Sequence, residues 1–134
     1  MSETLRHTSI HRDLAGRRRK FELRLGEIGE LERICGAGIG AILLRLSTMQ
    51  WRYDDIRETI RLGLQGGGAS EADATAIALH YLDPRPKGEF LQLAADILNA
   101  CVIGVEPGKA QGETEESDAP ATSPLSMRSP ERSE

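Results

Sequence analysis

Few residues in this chain have types and spacings that could do chemistry. Gly36-Ala37-Gly38-Ile39-Gly40-Ala41 matches the GxGxx(G/A) pattern of a dinucleotide-binding turn, with Asp54 and Asp55 near the place of a ribose-binding acid. That turn needs a strand before it and repeated βαβ units around it. The residues before Gly36 have helical periodicity instead, so these glycines read as a helix end followed by close packing. Gly66-Gly67-Gly68 has no following Lys-Ser or Lys-Thr and makes no phosphate loop. His7 and His11 lie four apart in a segment that reads as exposed, and His80 is distant, so a metal would lack its third and fourth ligands. Cys35 and Cys101 have no CxxC partner and fall on apolar helical faces, which reads as two reduced core thiols. Asp54-Asp55 reads as helix-start chemistry. No Ser-His-Asp, Cys-His or paired-carboxylate arrangement emerges. The expectation is a non-enzymatic protein with no catalytic residues, no cofactor and no metal.

Composition narrows the class further. A chain of 134 residues supports one domain with a modest core, and 4% aromatic content means that core is built of Leu, Ile, Val and Ala. The net charge of -4 argues against a dedicated nucleic-acid binder. It hides a gradient, however: Met1 to Leu25 holds seven basic residues against three acidic, and Glu106 onward holds three basic against seven acidic. The two ends could attract one another, weakly because of screening. No apolar signal-peptide core or bilayer-length run is present, so the expected location is the cytoplasm, with no membrane partner.

The elements that must position these residues follow from periodicity. His7 to Leu25 reads as a β-hairpin: Asp13-Leu14-Ala15-Gly16 is the turn, and Phe21, Leu23 and Leu25 alternate with Glu22 and Arg24. Arg17, Arg18, Arg19 and Lys20 follow the turn, a basic run that either is solvated or meets phosphate or an acidic partner. Gly26 separates the hairpin from a first helix with Ile28, Leu31, Ile34 and Cys35 on one face. A second helix carries Ile39, Ile42, Leu43 and Leu46 at i, i+3, i+4 and i+7, and is expected to be the most buried. Trp51 follows as packing residue or partner anchor. A third helix opens at Tyr53 or Asp54, bears Ile56, Ile60 and Leu64, pairs Glu58 with Arg61, and ends at Gly66-Gly67-Gly68. Ser70 and Asp73 resemble a capping box for a fourth helix to about Leu82, and a fifth, about Lys87 to Val102, has Phe90, Leu93, Ala94, Ile97, Leu98 and Cys101 on one side.

The expected fold is α+β, mostly α: an N-terminal β-hairpin followed by a compact bundle of four to five short helices and a disordered C-terminal tail. Residues 1–6 are expected to be flexible, 7–104 to form the single domain, and 105–134, rich in Pro, Ser and Glu, to be a disordered acidic tail. A helix-turn-helix within the three central helices is a weaker alternative, because no basic recognition face is present.

The order of these elements resembles the small tail proteins of gene transfer agents and related long-tailed phages, a family described both as tail tube protein and as tail assembly chaperone. The resemblance runs from about Arg6 to Val102 and is carried by Leu25-Gly26-Glu27 with Glu30-Leu31-Glu32, and by Gly63-Leu64-Gln65-Gly66-Gly67-Gly68 after the Asp54-Asp55-Ile56 helix. The Asp83 to Pro86 interruption and the acidic tail depart from the family pattern. What the resemblance implies is a part in building a phage-like tail. The preferred form is a tail assembly chaperone, absent from the mature particle, that covers apolar helices of the tape-measure protein. A tail tube component retained in the particle is the alternative, and a small DNA-binding regulator the second. Tail tube subunits are possible further partners and self-association is open. The expected partner groove lies beside the second and fifth helices, with Leu43, Leu46, Trp51, Leu91 and Leu98 as its residues.

Overall fold

The structure, a computed structural model, describes residues 5–106. Two strands, β1 (Ser9–Leu14) and β2 (Arg17–Glu22), pair antiparallel with Ile10 opposite Phe21 and Leu14 opposite Arg17. This register leaves a two-residue turn in which Ala15 and Gly16 both take positive φ, 52° and 89°, the hand that a tight hairpin requires. Alanine is a poor occupant of that region. The Arg19 guanidinium steadies it by donating to the carbonyls of Leu14 (2.6 Å) and Ala15 (3.3 Å). Ile10, Phe21 and Leu23 are buried, in keeping with the alternation; Leu14 is buried too, as the last residue of β1 and not as part of the expected four-residue turn.

The alternation stops one residue earlier than expected. Leu25 is 87% exposed, because the chain has already turned into α1 (Leu25–Cys35) and Leu25 is its first residue. Gly26 accordingly sits in the first helical turn and separates nothing. The Arg24 backbone N–H donates to the Glu27 carboxylate at 3.0 Å, closing the helix start. Gly36, at φ 65°, ends the helix. Then come α2 (Ile39–Ser47), α3 (Tyr53–Gly66), α4 (Glu71–Ile77) and α5 (Leu91–Val102). The Ser70 hydroxyl accepts from Asp73 N–H at the start of α4. That helix widens over Ala78–Leu82, where Asp83 N–H reaches back to the Ala78 carbonyl at 2.9 Å. A tight turn, Lys87–Phe90, leads into α5. The fold is thus the expected hairpin followed by five helices.

The centre of the fold is α3, not α2. Asp55, Ile56, Glu58, Thr59, Ile60, Leu62, Gly63, Leu64 and Gly66 are all buried, and the helix packs against β2, α1, α4 and α5. In α2 only Ile42 and Leu46 are fully buried; Ile39 and Leu43 are half-buried against the core. The described ends meet. His7 and Val105 exchange two backbone hydrogen bonds (2.7 and 2.8 Å), and the Arg6 guanidinium donates to the carbonyls of Ile103 and Gly104 and lies 3.7 Å from Glu106. Arg6 and Val105 therefore belong to the domain, where the sequence placed them in flanking segments. The tail beyond Glu106 lies outside the described residues.

Gly66 and Gly67 do more than stop α3. A Cβ on Gly66 would stand 1.8 Å from the Glu22 carbonyl oxygen, and one on Gly67 2.0 Å from that of Lys20. Both obstacles are backbone, which cannot swing aside. Gly29, in the interior of α1, would meet nothing within 4 Å. Gly66→Ala should therefore destabilise the domain by at least about 2 kcal/mol through overpacking, whereas Gly29→Ala should stabilise it by about 0.5–1 kcal/mol through helix propensity. Urea unfolding of the two variants against the parent measures both signs.

Candidate partner surface

The groove expected beside α2 and α5 is closed, because the two helices pack directly on one another. Leu46 (2% exposed) and Leu98 (0%) are core residues, so neither is open to a partner in this structure. Leu43, Trp51 and Leu91 are half-buried against the core. The structure thus splits the five expected residues between the interior and its outer margin. What is open on the outside of α2 are residues the stripe left out, Leu44 (63% exposed) and Met49 (68%). The signal for Leu44 was present: it falls off the i, i+3, i+4, i+7 stripe, so an apolar residue there has no core to join.

Elsewhere α3 is stitched to its neighbours by charge. Its Asp55, 0% exposed, accepts from the Arg52 backbone N–H at 2.9 Å and from the Arg45 guanidinium of α2 at 2.8 Å. The helix-start role expected for this aspartate is met, with a cross-link to α2 added. Glu58, 4% exposed, takes Arg57 (2.6 Å) and Arg61 (2.7 Å), and Arg61 donates onward to Gln65. Arg57 also grips Asp83 at 2.9 and 3.2 Å, where the Tyr53 hydroxyl joins at 2.8 Å. The hydrogen bond from Arg57 holds the Asp83 carboxyl below its usual range, with that from Tyr53 adding to it. Asp83 in turn raises Arg57, and burial, ahead of Asp83, raises the Tyr53 phenol. Burial, reinforced by the Asp55 carboxylate, pushes the Cys35 thiol up to about 12, which makes it a packing group at neutral pH.

The remaining chemical candidates stay apart. Gly36 and Gly38 flank the junction of α1 and α2, where the Glu32 carboxylate accepts the Ile39 N–H at 3.0 Å; an acid already occupies that helix start. His7 lies in the end-to-end bridge, His80 is exposed on the widened turn, and His11 sits half-buried in β1. Burial lowers the His11 pKa, helped by Arg18, Lys20 and Arg12. Among the described residues no three His, Cys, Asp or Glu side chains come together as a metal site, and no helix is long and apolar enough to cross a membrane.

A second concave surface was not anticipated as one. The basic run Arg17–Lys20 of β2 faces the Gly67-Gly68-Ala69 segment and Asp73 of α4 across an open cleft of about 750 Å³. Sequence reading had the basic run but not the wall opposite, which exists only because the glycines let α3 and β2 meet.

Hairpin, helices and these surfaces define a small structural module whose buried charges are spent on holding helices together. The family model described as "Phage tail tube protein, GTA-gp10" matches residues 8–104, well over half of the chain, and the chain belongs to that family. No curated protein and no solved structure matches it.

Asp83 supplies a pH test of the polar stitching. Its carboxyl is depressed in the folded state, so its contribution is present above the ordinary aspartate range and is lost as pH falls through the folded value. Its side chain is about a third exposed (32%), which limits the contribution to about 1 kcal/mol. Asp83→Asn should be less stable than the parent by that amount at pH 7, and the two denaturation curves should converge near pH ~2, below the carboxylate range.

Proposed function

We propose that this protein is a tail assembly chaperone, a non-enzymatic cytoplasmic protein that covers apolar helices of the tape-measure protein while a phage-like tail is built and is absent from the finished particle. The observation that supports this reading over a permanent tube subunit is the state of the sheet. Tube rings are held by strands pairing between neighbours, and among the described residues the sheet is one hairpin of six-residue strands. On β2 the carbonyls of Lys20 and Glu22 face the end of α3 at a distance that excludes even a methyl group, so that side is closed to an incoming strand. The tube subunit stays as the second reading because the family's description is that of a tail tube protein.

The face offered to a tape-measure helix is the outer side of α2 and the loop after it, where Leu44 and Met49 are exposed and Leu43 and Trp51, one and two residues away along the chain, are half-buried. An amphipathic helix docks by laying an apolar stripe on such a face.

Quantitative mass spectrometry of purified particles beside the producing lysate separates the readings. The chaperone should be missing from particles and co-purify with the tape measure from lysate; many copies per particle would establish the tube subunit. Leu44→Ser with Met49→Ser, both at exposed positions, should leave the thermal transition near the parent's yet weaken tape-measure capture by about tenfold or more, the effect of losing 1–2 kcal/mol at an interface. Unchanged capture would place the docking face elsewhere.

A further inference from the structure

We propose that the cleft beside Arg17–Lys20 is a docking site for an acidic peptide segment, and that its resident occupant is this chain's own stretch Glu113–Asp118. The cleft concentrates four cationic side chains from β2 against one acid, Asp73. Arg19 is committed to the turn carbonyls. Arg17 is exposed, and the Lys20 ammonium lies 4.0 Å from the Glu22 carboxylate, beyond hydrogen-bond length. A pair that loose exchanges readily for another carboxylate. Between the cations and the opposite wall, Leu64 and Ile77 make the floor partly apolar, so the cleft suits a short extended peptide better than a compact ion.

The stretch Gly112-Glu113-Thr114-Glu115-Glu116-Ser117-Asp118 places four acids within six residues. Its tether is fixed at the right end of the hairpin. Val105 is hydrogen-bonded to His7, two residues before β1, and Lys20 lies opposite His11, roughly 13 Å further along the strand at the usual rise per residue. Glu113 is eight residue steps beyond Val105. Those steps reach at most about 28 Å, about twice the distance to Lys20, so the length of chain is enough to bring the acids to the cations. Tethering at that length gives an effective concentration on the order of millimolar, enough for individually weak ion pairs to act together.

The only lysines in the sequence are Lys20, Lys87 and Lys109, which makes zero-length carbodiimide cross-linking of the full chain a direct test. Lys87 is the internal comparator: it is exposed, and its ammonium donates to the carbonyls of Asp83 and Arg85. Peptide mass spectrometry on a mixture of isotopically light and heavy protein should find Lys20 joined to Glu113, Glu115, Glu116 or Asp118 within one chain. The yield should fall several-fold with Arg17→Glu, and should be largely lost in 1 M salt, where the screening length is about 3 Å. Three results would overturn the proposal: no Lys20 link, links to Lys87 as abundant as those to Lys20, or links only between light and heavy chains. The last would assign the cleft to acidic segments of other molecules.

Discussion

The structure depends on one steric constraint, the contact between the end of α3 and the backbone of β2. Where Gly66 and Gly67 lie against Glu22 and Lys20, no side chain of any size fits. Removing two β-carbons lets a helix end touch a strand directly, and this sets the depth at which Phe21 and Leu23 enter the core. The same helix repeats the device at Gly63, where a Cβ would come 3.3 Å from an Ile97 methyl of α5. A seam of small residues thus runs along α3 from the helical layer to the hairpin. The interior holds few aromatics, so tight backbone approach replaces side-chain bulk as the means of excluding voids.

A helix buried on so many sides has to dispose of its polar groups, and α3 does so partly within itself, where Glu58 takes Arg57 and Arg61, and partly by reaching to neighbours. Asp55 engages α2 through Arg45, and Arg57 engages the end of the widened turn through Asp83. A buried pair of this kind contributes little net stability, since desolvating both ions offsets most of their attraction. Its larger effect is on geometry. If α2 slid by one turn, Asp55 and Arg45 would be buried without each other, at a penalty of several kcal/mol. The charges on α3 therefore select one packing of a core built mainly of interchangeable aliphatic residues.

This division explains what could be read in advance. The hairpin and the number and order of the five helices were legible because each depends on local periodicity, which Phe21 and Leu23 and the stripes of α2 and α5 state openly; the ends were less so, since the fifth helix starts at Leu91 and not near Lys87, and the fourth widens after Ile77. The rank order of burial was not. The sequence of α3, with Asp55, Glu58 and two glycines, reads as more polar than that of α2, yet tertiary pairing and close approach bury it more deeply. The candidate surface failed in the same way. Leu46 and Leu98 were chosen for being apolar on amphipathic faces, and two such faces facing each other bury one another. Leu25 fails for a local reason: Glu27 takes the Arg24 N–H and commits the chain to helix before the strand pattern is complete.

An exposed leucine on a small domain is ordinary, so Leu44 and Met49 matter only through their surroundings. Along the chain they neighbour Leu43 and Trp51, both half-buried, and the Trp51 indole Nε1 is buried without a hydrogen-bond partner among the described residues. A modest apolar face around a rigid aromatic suits a contact that must later be released, because a large hydrophobic surface would hold its partner or aggregate. The opposite requirement governs a subunit that stays in a polymer, where strand edges and extensive apolar area are usual. The closed side of β2 traces back to the contact that the glycines of α3 permit, and the small outer face of α2 is the margin left once α2 has packed onto α5.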